Sequence, residues 1–332
     1  LSDTGSILVI RLSSLGDVLL CAPAMRALRT RFPEAKIDFL VATEFAEAAQ
    51  LLPGIDSIIT LNKNEGWRGL LRLRRLLSRK YELIVDLQNS IRSSFLRMMC
   101  FPLMWAKASR YRFRRWILIR FKKNLYGKTK PVPLRYIEAM EAIGVVDDGL
   151  GLQLNVATGN VRLDQSPKRV VLCPGAKHNT KRWPIENWEM LGRDLRQKGF
   201  EVTVCGSKFE EEDCQRVGGN QSEVLIDLPL HELGQRMVQA DVVVCHDSGL
   251  MHLASGVDAP LVAIFGPTVE QFGFFPFRAN SIVLQQDLNC RPCTAFGGAK
   301  CPLGHHDCMK KTTPQQIVQS IESLIESRGE RG

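Results

Sequence analysis

Short, almost wholly apolar runs that alternate with helical patterns constrain this chain more than any other feature. Residues 7–10, 37–41, 57–61 and 83–87 form such runs, and 18–31, 44–52 and 67–80 between them carry helical spacing. The last of these repeats Leu70, Leu73, Leu76 and Leu77 with arginines opposite, an amphipathic helix. Strands lacking a polar face are covered on both sides, and strands alternating with helices need crossover connections, so the chain reads as a parallel sheet flanked by helices. The pattern blurs from 100 to 160, where a basic stretch, Pro131-Val132-Pro133 and a helix at 136–143 lead to Gly144, Asp147-Asp148-Gly149 and Gly151. It restarts with strands at 170–173, 201–205, 224–226, 241–245 and, last, 261–265. Helices are expected at 185–198, 210–217, 230–239 and 249–256, then at 314–327 with Thr312 or Thr313 as cap and Pro314 in the first turn. The fold class is α/β in two similar halves with a linker near 150–165, and ligands belong beyond the carboxyl ends of the strands, in a cleft between the halves. The expected domains are 1–160, 161–315 and a closing helical segment at 316–332.

Composition excludes several classes. At 45% apolar and 24% charged, the 332 residues are neither disordered, collagenous nor coiled coil. The longest apolar run, 98–106, has nine residues and a proline inside, against about 20 for a membrane-spanning helix. The first residues lack the marks of a signal peptide, so the ten cysteines read as reduced thiols of a cytosolic protein. Charge is uneven. Residues 1–160 hold 25 Lys+Arg against 14 Asp+Glu, and 161–332 hold 19 against 21, so the first half carries all of the formal net +9 and calls for an acidic partner.

Three turns from strand to helix carry candidate chemistry. In Arg11-Leu12-Ser13-Ser14-Leu15-Gly16-Asp17, Gly16 permits a tight backbone and Asp17 either caps the helix or presents its carboxylate to the cleft. One glycine stands where the dinucleotide fingerprint wants three, which disfavours a nicotinamide-dependent dehydrogenase. In Cys173-Pro174-Gly175-Ala176-Lys177-His178-Asn179-Thr180-Lys181-Arg182-Trp183-Pro184, two lysines, an arginine and a helix start suit a phosphate, or form a solvated basic loop. In His246-Asp247-Ser248-Gly249-Leu250-Met251-His252, Gly249 lets a phosphate or sugar approach the backbone, while a lone histidine such as His252 is more often packed than a ligand contact. Gly266-Pro267-Thr268 forms a similar turn.

Taken in order, 10–18 (Ile-Arg-Leu-Ser-Ser-Leu-Gly-Asp-Val), Lys181-Arg182-Trp183-Pro184, Asp247-Ser248-Gly249-Leu250-Met251-His252 and Phe265-Gly266-Pro267-Thr268 resemble the ADP-heptose:lipopolysaccharide heptosyltransferases, glycosyltransferase family 9. The likeness runs over 7–327. It implies a GT-B fold of two facing Rossmann-like domains, the first binding acceptor and the second nucleotide sugar, with the last helix crossing back onto the first. It also implies inverting, metal-independent transfer of heptose from ADP-heptose to the inner core of lipopolysaccharide, with no cofactor required. Asp17 would then be the base on the acceptor hydroxyl, a weak one that suffices where the proton leaves late. Lys181 would stabilise the departing diphosphate. Gly175, Thr180, Asp247, Ser248, Gly249, His252, Gly266 and Thr268 would bind the donor, and Ser13, Ser14 and Gly16 the acceptor. Glu210 resembles the family's ribose-binding acid, though Glu210-Glu211-Glu212-Asp213 reads equally as a solvated helix start. Two alternatives stand beside this: a relative using another nucleotide-activated sugar, and a non-catalytic protein that binds nucleotide sugars or polyanions.

Residues 107–130 hold ten Lys/Arg and no acid, interleaved with Tyr111, Phe113, Trp116, Ile117, Leu118, Ile119 and Phe121. An acceptor anchored in an anionic bilayer suits that stretch, and would place the protein peripherally on the inner face of the inner membrane. Nucleic acid is disfavoured because no recognition module accompanies it, and a solvated neutral face is the remaining reading. Cys290, Cys293, Cys301 and Cys308 admit a structural zinc or iron–sulfur site, a loop of reduced thiols or a disulfide. The segment 301–308 resembles the heptosyltransferase II branch of the family.

Overall fold

Ile7, Leu8, Val9 and Ile10 are all buried, which is why the strand Ser6–Ile10 (β1) takes the middle of a sheet covered on both faces. The computed structural model describes residues 5–78, 80–100, 102–157 and 167–329. After β1 come α1 (Leu15–Leu19), α2 (Ala22–Arg31), β2 (Lys36–Ala42), α3 (Ala46–Gln50) and β3 (Ser57–Leu61). Then follow α4 (Gly66–Leu77), β4 (Leu83–Asp86), α5 (Ile91–Met99), β5 (Met104–Lys107), α6 (Arg112–Phe121) and α7 (Val132–Glu138). The five strands are parallel in the order β3-β2-β1-β4-β5, with Ile7 beside Ile37 on one side and Leu83 on the other. The helix expected at 18–31 is two, parted where Leu20 and Cys21 bond back to Gly16 and Val18 and where Pro23 offers no N–H. The helix expected at 136–143 begins at Val132, because Pro131 and Pro133 suit a helix start, and gives way to a 3₁₀ turn at Glu141–Ile143.

The second sheet is built from β6 (Arg169–Cys173), α8 (Ile185–Gln197), β7 (Glu201–Gly206), α9 (Glu211–Gly218), β8 (Glu223–Ile226), α10 (Leu230–Val238), β9 (Val242–His246), α11 (Gly249–Gly256) and β10 (Leu261–Phe265). A strand not expected from the sequence, β11 (Ser281–Gln285), extends it, and α12 (Asp307–Lys310) and α13 (Pro314–Gly329) close the chain. All six strands are parallel, in the order β11-β10-β9-β6-β7-β8. Thr313 is the cap of α13, bonding Gln316 N while its own N–H donates to Gln316 Oε1.

The chain packs as two compact units, one of Leu1–Tyr111 with Lys130–Asn155, the other of Arg112–Thr129 with Val156–Gly332. The boundary expected at 160–161 lies outside the described residues, as does the second half of the expected linker. Residues 112–129, expected in the first domain, belong to the second unit. There the Arg115 guanidinium lies 5.2 Å from the Phe272 ring centre and 5.0 Å from that of Phe296, and Lys122 Nζ donates to Cys290 O at 2.8 Å and Pro292 O at 2.6 Å. The closing helix seats Ile317, Val318, Ile321 and Leu324 in the apolar core of the second unit, with Trp188 and Leu191 of α8. No helix among the described residues is long and apolar enough to cross a membrane.

Candidate active site

Each sheet reverses its order of strand addition once, between β1 and β4 in the first and between β6 and β9 in the second. Loops leaving the carboxyl ends of strands diverge at such a point and leave room for a ligand. The candidate residues gather at these two places, each within its own unit.

In the first unit, Asp17 occupies the third position of α1. Its Oδ2 accepts from the Ser14 backbone N at 3.1 Å and from Ser14 Oγ at 2.9 Å, so it caps the helix. Its Oδ1 pairs with Arg11 Nη2 at 2.5 Å, and the side chain stays 18% exposed. Burial would lift the Asp17 carboxyl, but the Arg11 guanidinium and the Ser14 bonds outweigh it and hold the pKa below the usual carboxylate value. Arg11 is itself fixed, donating Nη1 to Leu87 O at 2.6 Å and lying over the Tyr136 ring. Gln88, just past β4, accepts from Leu12 N at 3.1 Å and Ser13 N at 3.3 Å, so the turns after β1 and β4 brace each other. Ser14 is exposed, Ser13 partly so, and Gly16 is buried.

In the second unit the Lys181 ammonium sits 2.6 Å from Asp247 Oδ2 and donates to Asp247 O at 3.2 Å. Thr268 Oγ1 donates to the same Oδ2 at 2.6 Å. The Asp247 side chain is 7% exposed and that of Lys181 14%, so the pair is shielded on most sides. Thr180 is tied to Gly298 through both its backbone N and its hydroxyl, and Thr180 O meets His306 Nε2 at 2.9 Å. Gly266 must be bare, since a Cβ there would stand 3.1 Å from Thr180 O and strike Met309. Gly175 is bare for a similar reason, as a Cβ would fall on the Glu210 carboxylate. Glu210 caps its own turn, accepting at Oε2 from Ser207 N at 3.0 Å and Oγ at 2.7 Å, and Arg182 stands 3.7 Å from its Oε1. Ser248 precedes α11 with its Oγ buried and no partner among the described residues, an unused hydroxyl beside Asp247 and Gly249. His252 is buried in the first turns of α11.

The sequence left three side chains without roles. Arg11 opens the first turn, and nothing in the sequence pairs it with Asp17. His246 is fully buried and accepts at Nε2 from Trp183 N at 2.9 Å, so the proton is on Nδ1, which faces Gly175 O at 3.2 Å. Burial pushes its pKa down to about 4, keeping the ring a neutral strut between two turns. Arg291 bonds the Gly266–Thr268 turn. His246 and Arg291 act chiefly on backbone groups, and Arg11 on Leu87 O as well as on Asp17, so only their position in or beside the motifs hints at them.

The cysteine cluster does not fit zinc. A closed site needs about four converging thiolate or imidazole ligands, and no group of three or more candidate ligands among the described residues could hold a metal ion. Burial raises the Cys293 thiol and pushes Cys308 up to about 11, and all ten cysteines are free thiols.

Residues 70–301 match the sequence profile of glycosyltransferase family 9 (heptosyltransferase). The chain is 26% identical over 325 residues to lipooligosaccharide heptosyltransferase 2 of Campylobacter jejuni subsp. jejuni serotype O:2, covering 94% of this chain and 96% of that protein. It is 26% identical over 353 residues to lipopolysaccharide heptosyltransferase 1 of Pseudomonas aeruginosa, covering 96% and 98%. Its fold is similar to that of the E. coli ADP-heptose lipopolysaccharide heptosyltransferase II, with a TM-score of 0.74 at 22% identity over 98% of this chain and 99% of that one. The fold shared is GT-B, with two parallel-sheet α/β domains.

Proposed function

Because the chain belongs to glycosyltransferase family 9, the heptosyltransferases, we propose that it moves heptose from ADP-heptose onto the inner core of lipopolysaccharide, with inversion and without a metal ion. The observation that carries this is Lys181, a shielded ammonium at a switch point of the second sheet. An ammonium has three donors, and two are used on Asp247 Oδ2 and O. Among the described residues the third has no partner and is left for a diphosphate oxygen. As the bond between the anomeric carbon and the diphosphate breaks, its electron pair goes to the phosphate oxygen, and Lys181 neutralises the charge that a divalent cation would otherwise meet. The acceptor hydroxyl oxygen forms the new bond to the anomeric carbon from the opposite face, and its proton passes to Asp17. A carboxylate held below its usual pKa takes a proton late, which suits a transition state with oxocarbenium character. The unpaired Ser248 hydroxyl and bare Gly249 suit the donor, with Gly175, Glu210, Gly266, Thr268 and His252 around them. Ser13, Ser14 and Gly16 face the acceptor in this reading.

A thermal-shift panel of ADP-heptose, ADP, UDP, GDP and NAD tests the donor. Binding at 100-fold above Kd stabilises by about 2.7 kcal/mol, so the adenine diphosphates should raise Tm by several degrees and the others should not. An equal response to UDP would replace ADP-heptose with another activated sugar.

The acceptor is membrane-anchored in this reading, and α6 with the loop after it supports a peripheral approach to an anionic bilayer. Phe113, Trp116 and Phe121 are 67%, 54% and 52% exposed, and 107–130 carries ten Lys/Arg with no acid. Basic residues at such a surface contribute about 1 kcal/mol each, and aromatic rings sit well at headgroup depth. Sedimentation with phosphatidylglycerol-containing vesicles should be strong at low salt and fall steeply in high salt, with little binding to pure phosphatidylcholine. Equal binding to both vesicle types would rule the charged face out.

A further inference from the structure

The Cys290-Arg291-Pro292-Cys293 segment holds two of the clustered thiols, yet its arginine has the more telling surroundings. Arg291 Nε donates to Gly266 O at 2.6 Å, and Nη2 to Thr268 O at 2.7 Å and Gln285 Oε1 at 2.9 Å, while Nη1 donates to Gln286 O. Cys293 N takes the carbonyl between, Pro267 O, at 3.3 Å. Three successive carbonyls of the turn after β10 are thus gripped by one short segment. The guanidinium is half-buried, and its hydrogen bonds among the described residues go to carbonyl oxygens, with Asp287 acting on it only through space. A planar fork reaches several acceptors at fixed angles, which an ammonium cannot do.

What this turn holds is the floor of the Lys181 site. The Thr268 hydroxyl bonds Asp247 Oδ2 at 2.6 Å, and Lys181 Nζ lies 2.6 Å from that same oxygen. Gly266 packs so closely on Thr180 O that the turn also bears on the residue before Lys181. We infer that Arg291 is a positioning residue for the transfer reaction: by fixing the Gly266–Thr268 backbone it sets the Thr268–Asp247–Lys181 contacts, and so the place of the ammonium that meets the leaving diphosphate. The inference rests on the reading of Lys181 given above. It assigns the segment a task that involves its arginine and leaves its thiols as packing.

Arg291→Lys keeps the charge and loses the fork, and is measured alone and with Thr268→Val. A displacement of about 1 Å at a reacting group is worth about 100-fold in rate. Arg291→Lys is therefore expected to lower kcat about 10- to 100-fold with the acceptor KM unchanged. In the Thr268→Val background, where the link to Asp247 is already cut, it should add less than about twofold. Acylation of Lys181 by an amine-directed reagent, followed peptide by peptide in a mass spectrometer, should be several-fold faster in Arg291→Lys because the ammonium is held less firmly. A folded Arg291→Lys with wild-type kcat, full additivity with Thr268→Val, or an unchanged acylation rate each overturns the proposal. Should the lysine variant not fold, Arg291→Gln, which can still donate to two carbonyls, is put through the same measurements. A Lys181→Met protein with full turnover would remove the role given to Lys181, whereas the acylation result reports on Arg291 whichever way that falls.

Discussion

Asp17→Asn is expected to lower kcat by two to four orders of magnitude while leaving ADP affinity at the wild-type value. General base assistance contributes about 10²–10⁴, and the amide keeps the shape and the Ser14 contacts but cannot take a proton. ADP affinity is the control because the residues proposed for the donor lie in the other unit. The same substitution removes the counter-charge of buried Arg11, so Tm should fall as well, and turnover is to be compared well below the new melting point. The pH profile gives a second reading. The Asp17 pKa is lowered from its ordinary value, so the active carboxylate form is present at neutral pH and is lost only as pH falls through the lowered pKa. The acid limb of kcat/KM should therefore lie below pH 4, about the ordinary aspartate value, and an acid limb near pH 6 would point to another base.

Lys181→Met ranks next. Losing one preorganised donor to a developing oxyanion costs about 10²–10³ in kcat. In the proposed role the ammonium also meets the ground-state diphosphate, so calorimetric titration with ADP should show affinity weakened along with rate. The substitution strands the Asp247 carboxylate, 7% exposed, with Thr268 as its remaining side-chain partner, and a loss of stability should accompany the loss of rate. An unaltered ADP titration would contradict the assignment of Lys181 to the leaving group, whatever the fate of kcat.

Most of the architecture is legible in the sequence for a simple reason. Strands such as β1, β4, β9 and β10 are buried on both faces and read as continuous apolar runs. The strands that escape are edges. Met104–Lys107 is mostly exposed and Ser281–Gln285 only partly buried, so neither needs the apolar signature that marks its neighbours. The allegiance of 112–129 is not legible at all, because it depends on Phe272, Phe296 and two carbonyls at 290 and 292, partners far along the chain. The candidate site divides in the same way. Asp17, Lys181, Asp247 and Thr268 stand in turns after strands, where position alone raises suspicion. Arg11, His246 and Arg291 act on Leu87 O, Trp183 N and Gly266 O, and a main-chain partner leaves no mark in the sequence of either residue.

The path of the chain between its units has a practical side. Because 112–129 is lent to the second unit while both of its flanks belong to the first, neither unit is an uninterrupted stretch of gene. A chimera that swaps donor specificity by a single fusion near 155 would marry one protein's Arg115 to another's Phe272 and Phe296. Exchange of the whole unit calls for two inserts, the short one carrying α6.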